Sequence, residues 1–410
     1  MTVEDRHSVY CFASDVLDEG AAPVLDNVQS RAGVSSVTIA VKYHAVTDVY
    51  PHNPARKLAT LPPGVFYRPD PARYQSAALR PLPSPLARGR DVLEEACAAA
   101  EMRGMSVSAW VVLLHHDEAQ EGAPGLQVNC FGDEIAGALC PADPDVCLFA
   151  EQLVAEVASY PVRTVRLESL HFQGVGHGHH HERLLERYGG AGLFILGLCF
   201  CRSCTQRAED EGIDAQRLAA SARCSLQKLF DGRMPAAILS TDAVAEMCGE
   251  EALAYQEVRK RTVTSLAARL GEVARREGRR LFVIDQTVAV QSYASGSRTG
   301  RAEGPAWDFA LDLGGLKASG AKVEVTGYLA DPAELYDVLA WYQDAAGGDL
   351  AVVLRPGPPD NASTEQLQAK LAAASAVGAA EVNFYAYGLY RLDALDRIGA
   401  ALATPPGAPS

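Results

Sequence analysis

The chain has 410 residues, 48% hydrophobic and 21% charged, a balance that excludes wholesale disorder and suits one α/β barrel of about 250 residues plus insertions. Its formal net charge of −14 excludes nucleic acid as the main partner, because such binding draws on clustered Lys and Arg that release counterions. The amino terminus is acidic, and no apolar run has the length of a signal peptide or a membrane span, so a cytoplasmic protein with no membrane partner is expected, its 10 cysteines reduced.

Short β-branched runs alternate with stretches of helical period, the pattern of repeated βα units around a parallel sheet. Residues 1–33 read as an amino-terminal segment, residues 34–403 as a (β/α)8 TIM barrel with long loops at its carboxyl-terminal face, and the Pro-rich 404–410 as a disordered tail. The first expected strand, Val37 to Val41, leads into Tyr43-His44. A second, Gly64 to Tyr67, is ended by Arg68-Pro69. A helix from Val92 to Met102, stopped by Gly104, precedes a buried strand from Met105 to Leu114 that ends in His115-His116. Helix 144–158 then leads to the fourth strand, Val162 to Leu170.

Helical spacing recurs over 214–230 and 250–277, before a fifth strand, Arg280 to Gln286. The cations Arg275, Arg276, Arg279 and Arg280 fall at that helix's carboxyl end, where the helix dipole favours positive charge. A helix over Trp307 to Ala318 precedes the sixth strand, Lys322 to Tyr328. Asp331-Pro332 opens a helix through Ala345, and Leu350 to Leu354 is the seventh strand, ending in Arg355-Pro356. Helix 364–376, strand Glu381 to Tyr387 and a last helix over 392–402 complete eight units. The rival architecture, an open doubly wound sheet, lacks a glycine-rich phosphate loop after any strand.

In a barrel, the polar residues at the carboxyl ends of strands face the site. Thr164, Arg166 and Glu168 share one parity and Val165 and Leu167 the other, so Glu168 is expected at the mouth. A carboxyl group there can act as general acid, base or nucleophile once burial tunes it. Glycoside hydrolysis ordinarily needs a second carboxylate. Asp285, ending the fifth strand, is the favoured partner over Glu324, which sits nearer the middle of the sixth.

His171, His177, His179, His180, His181 and Glu182 form the densest histidine region, suited to hydroxyl groups or a divalent metal. Tyr43, His44, Tyr67, His115, His171, His177, Arg355 and Tyr387 are the expected substrate contacts; Trp110, Tyr328 and Tyr385 are further aromatics near strand ends. Cys199, Cys201 and Cys204, in a C-x-C-x-x-C cluster, can place three thiolates on one Zn2+, with Cys140, Cys130 or a loop histidine as the fourth ligand. A structural zinc is the one cofactor expected.

The run Arg103 to Trp110, the segment Leu139-Cys140-Pro141-Ala142-Asp143-Pro144-Asp145-Val146 and the strand ending in Glu168 resemble glycoside-hydrolase-like TIM-barrel proteins. The resemblance implies an acidic catalytic residue at Glu168. The cluster Cys199 to Cys204 is similar to the cysteine zinc site of the family 42 beta-galactosidases. Those enzymes carry Asn-Glu at the fourth strand and a second Glu at the seventh, whereas here Leu167 precedes Glu168 and Arg355 ends the seventh. The expectation is a carbohydrate-active hydrolase acting on a small-molecule or oligosaccharide substrate. The alternatives are a metal-dependent sugar isomerase, epimerase or lyase, and a noncatalytic carbohydrate-binding barrel. The sequence leaves open whether it is a monomer or a homo-oligomer.

Overall fold

Eight short segments pair in parallel and close on themselves: His7–Cys11, Ser36–Tyr43, Ser106–Val112, Thr164–Glu168, Arg280–Asp285, Lys322–Thr326, Ala351–Leu354 and Glu381–Phe384. The computed structural model describes residues 6–118, 122–175, 186–292 and 306–403. Closure comes from the first strand, which pairs with the eighth through His7 and Val382 and with the second through Val9 and Val37. The fold is the expected (β/α)8 barrel, which leaves its wall without an unpaired strand edge.

Strand membership differs from the sequence reading at one end. His7–Cys11, set apart in the amino-terminal segment, is the first barrel strand, and Gly64–Val65 only pairs antiparallel with Lys42 and Tyr43 on the outside of the second. Pro62, Pro63 and Pro69 explain the second point, because a proline cannot donate to a central ladder. The expected helix over 307–318 is confined to Leu313–Ala318, opened by Asp312, whose side chain accepts from the Gly315 amide. Ala310, with a φ of 60°, interrupts the helical path before it.

Parity divides the core into two shells. Val37, Ile39, Val41, Val107, Ala109, Val111, Val165, Leu167, Leu281, Val283, Val323, Val325, Val352 and Leu354 pack outward against the helices. Tyr10, Phe12, Ala40, Trp110, Val112, Ile284, Tyr328 and Val353 fill the lumen. Helix Pro144–Ser159 shows how the outer elements are started: Pro144 occupies its first turn, and Asp143 accepts from the amides of Asp145 and Val146. Between the third strand and that helix, a hairpin of Leu126–Val128 and Glu134–Leu139, not foreseen from the sequence, carries Cys140 just past its end. None of the described helices is long and apolar enough to cross a membrane.

Candidate active site

Glu168 closes the fourth strand opposite Val112 of the third and is 6% exposed. Its Oε2 accepts from Trp110 Nε1 at 2.7 Å and its Oε1 from Gln286 Nε2 at 2.8 Å. Burial pushes the carboxyl group up from 4.5 to about 7, against the two hydrogen bonds and the charge of Lys42, which favour the ionised form. Near neutral pH the group is therefore divided between acid and carboxylate.

A bulge in the second strand between Ala40 and Lys42 sets Lys42 opposite Val111 and turns Tyr43 toward Trp110. The Lys42 Nζ donates to the carbonyls of Val112 at 2.6 Å and His115 at 2.9 Å, and burial lowers its ammonium to about 8. Trp110 stands at the centre of an aromatic wall, edge-on to Tyr10, Tyr43 and Tyr385 at centroid distances of 5.1, 4.8 and 5.9 Å. Such rings offer apolar faces beside a polar group, the mix found in small-molecule sites. His44 stacks between Tyr43 at 4.2 Å and His115 at 4.8 Å, and burial lowers it to about 4. His115 Nε2 lies 2.7 Å from Asp117 Oδ1. Burial acts to raise Asp117, yet its His115 contact and the Ala45 amide hold it below the usual carboxylate range.

Of the expected substrate contacts, Tyr43, His44 and His115 thus gather around the mouth with Glu168. Arg355 stacks over Tyr328 at 4.5 Å and pairs with Asp360 at 2.5 Å. His171 is fully buried and stacked on Phe309 at 4.1 Å. His177 and the rest of the loop through Glu182 lie outside the described residues.

Two tyrosines fall elsewhere. Tyr67 follows the short outer strand and packs outside the barrel near Tyr74 and Tyr160. Tyr387 lies beyond the end of the eighth strand in a 3-10 turn, so the strand's parity no longer applies; its hydroxyl donates to Glu19 at 2.7 Å and accepts from Asn27.

Neither expected partner carboxylate stands free beside Glu168. Asp285 has the outward parity of Leu281 and Val283, and accepts from the Thr287 amide at 2.8 Å, the Thr287 hydroxyl at 2.5 Å and Tyr342 at 2.7 Å. It caps a turn behind the wall. Glu324 does face the lumen, but accepts from Tyr10 at 2.8 Å, Arg166 at 2.7 Å and Asn383 at 2.7 Å. Arg166 also pairs with Glu381, which Arg163 and Arg280 flank at 3.1 and 2.8 Å. This network, buried at Arg166, Glu324 and Glu381, is the floor under the aromatic wall, where Glu324 serves as counter-ion to a guanidinium. Sequence reasoning missed Lys42, Tyr10 and Gln286 as parts of the site.

The cysteines form a separate centre. Cys140 Sγ lies 3.4 Å from Cys204, 3.6 Å from Cys201 and 3.9 Å from Cys199, and all four sulfurs lie within 4.8 Å of one another. Four thiolates around one Zn2+ at about 2.3 Å would stand about 3.8 Å apart, so the cluster can hold a metal ion. Cys130 is not part of it; its carbonyl accepts from Arg223.

No protein-family model matches the chain, and no curated protein matches it. Among solved structures, a beta-galactosidase from the psychrophilic Marinomonas ef1 is 12% identical with a TM-score of 0.56, over 97% of this chain and 58% of that one. The chain thus spans a little over half the length of that protein. The catalytic domain of a beta-amylase from Paenibacillus polymyxa is also 12% identical, with a TM-score of 0.53, over 97% of this chain and 95% of that domain. At these identities the likeness is one of fold: the chain shares the TIM-barrel architecture of glycoside hydrolases.

Proposed function

We propose that the protein is a carbohydrate-active hydrolase of the glycosidase type, with Glu168 as its proton donor. The observation that carries this is a buried carboxyl group at the carboxyl end of the fourth strand, raised to about 7 and set against an aromatic wall. A general acid works best with a pKa near the working pH, and a leaving sugar oxygen must be protonated as its bond breaks. The glycosidases that share the barrel support the substrate class by analogy of fold.

The partner in this reading is neither Asp285, which faces Tyr342 behind the wall, nor Glu324, which neutralises Arg166 in the floor. Asp117 is the candidate of this reading: it follows the third strand at the same face, is held ionised by His115 and the Ala45 amide, and acts with Glu118 and Glu168 on the Lys42 ammonium. His44 and His115 then orient hydroxyl groups, and zinc at the four cysteines is structural. The isomerase, epimerase or lyase alternative places a metal on His177 to Glu182, which lie outside the described residues, whereas the hydrolase reading rests on Glu168.

The test is turnover of a panel of aryl glycosides by the native protein and by Glu168→Gln. Loss of a proton donor should lower kcat by about a hundredfold or more on whichever glycoside is cleaved. Undiminished turnover would refute the assignment.

A further inference from the structure

Past the end of the fourth strand, the chain runs from Glu168 through His171 into a cleft of about 170 Å³, lined among others by Phe172, Gln173, Phe194, Arg259, Asp308 and Phe309. Arg259 belongs to helix Glu251–Arg276, which returns toward the fifth strand from the mouth side of the barrel, so its first turns lie near the site. Arg259 is 3% exposed. It lies over the Phe172 ring at 4.3 Å and 5.7 Å from the Phe194 ring, and its Nη1 donates to Gln256 Oε1 at 2.5 Å. Its Nε has no hydrogen-bond partner, and no carboxylate of the described residues pairs with it. Gln173 is 6% exposed, and its Nε2 likewise lacks an acceptor.

Two buried N–H donors without acceptors therefore line one cleft, one of them on a permanent cation. Desolvating a guanidinium is costly unless its donors are met. Arg259 also feels the thiols of Cys204, Cys199 and Cys140 and the hydroxyl of Tyr255. That field offsets part of the charge, but it places no acceptor on Nε.

We propose that this cleft holds the carboxylate of an acidic sugar, with Arg259 and Gln173 as its donors. A planar monoanion matches one positive charge and two donors; a phosphate dianion would bring surplus charge into a chain already at −14. Phe172, Phe194 and Phe309 supply ring faces for the apolar side of a sugar. Asp308, half-buried, also lines the cleft and is more exposed than either donor. That the anion belongs to a sugar rests on the hydrolase reading; that the site takes an anion rests on Arg259 and Gln173 alone.

The experiment is calorimetric titration of the full chain with sodium glucuronate and galacturonate, with glucose and galactose as neutral controls and inorganic phosphate as a competing anion. One of the acids should bind at least about tenfold more tightly than its neutral counterpart, the scale of a charge-assisted hydrogen bond. Arg259→Met should abolish the preference and Gln173→Leu should reduce it several-fold. Circular dichroism and metal content report folding; should Arg259→Met not fold, Gln173→Leu, which keeps the charge, decides. Equal affinity for acid and neutral sugars, a preference that survives both substitutions, or phosphate binding as tightly as the uronate would each overturn the proposal. Binding is read without turnover, so an inactive Glu168 would leave this result standing, and a missing preference would leave the chemistry of Glu168 standing.

Discussion

Replacing Glu168 with glutamine should change how stability depends on pH, by an amount that follows from the burial of this one carboxyl group. In the folded chain the group titrates at about 7, against 4.5 when solvated. Between those values the unfolded chain has released its proton while the folded one keeps it, so stability falls as pH rises and the loss is complete above the folded value. From about pH 5 to about pH 8.5 the native protein should lose about 2.5 kcal/mol on this account alone. Glutamine cannot ionise, so Glu168→Gln lacks this slope. Its amide also meets the N–H groups of Trp110 and Gln286 less well than a carboxylate does. That cost is independent of pH and cancels when the two proteins are compared at both pH values. Urea unfolding of each protein at each pH gives the four free energies needed. Glu168→Gln should gain on the native protein by about 2.5 kcal/mol between the lower and the higher pH. An advantage that is constant with pH would refute the view that burial holds this carboxyl group protonated.

Trp110→Phe removes a donor to the ionised form of Glu168, so the alkaline limb of the pH–rate profile should move up by about one unit, read from kcat/KM against pH. Asp285→Asn should leave turnover unchanged while lowering stability by about 1–3 kcal/mol in urea, because the group it disturbs joins Thr287 to Tyr342 outside the barrel. Glu324→Ala strands Arg166, Tyr10 and Asn383 in the floor; a loss of about 3–5 kcal/mol in the same assay is expected, and one below about 1 kcal/mol would sink the counter-ion role. Elemental analysis of the native protein should find near-stoichiometric zinc that Cys201→Ser loses, and metal-free native protein would remove the tetrathiolate reading.

The barrel was legible because several of its strands follow or precede long helices, three of which open with Asp-Pro or Ser-Thr caps, at Asp143, Asp331 and Ser363. The first strand was not legible. His7–Cys11 is five residues long and stands close to the chain's start, with no preceding helix to announce it. A proline-bounded apolar run at Gly64 to Tyr67 took its place in the count. The cysteine centre was legible in part: C-x-C-x-x-C supplied three of its four sulfurs. The choice of Cys140 over Cys130 depended on a hairpin whose short strands, with a register shift between Leu126 and Gln127, show no clean alternation.

The site was legible where the alternation of strand faces was followed and missed where strand position alone was used. In the fourth strand, parity put Glu168 in the lumen with Arg166, as observed. In the fifth, Asp285 was favoured for standing at the strand's end, although it shares parity with the aliphatics Leu281 and Val283 that pack against helices. Phe282, Ile284 and Gln286 hold the other parity, and Gln286 is the residue that reaches Glu168, at 2.8 Å. Lys42 escapes the rule, because a bulge between Ala40 and Lys42 sets it opposite Val111 and brings Tyr43 to the lumen instead. Parity cannot say whether a lumen carboxylate is free: Glu324 has the right face, yet its three donors come from Tyr10, Arg166 and Asn383 on three other strands. Which inward acid keeps its proton and which spends its charge on a neighbour is settled across the barrel, by residues far apart in the chain.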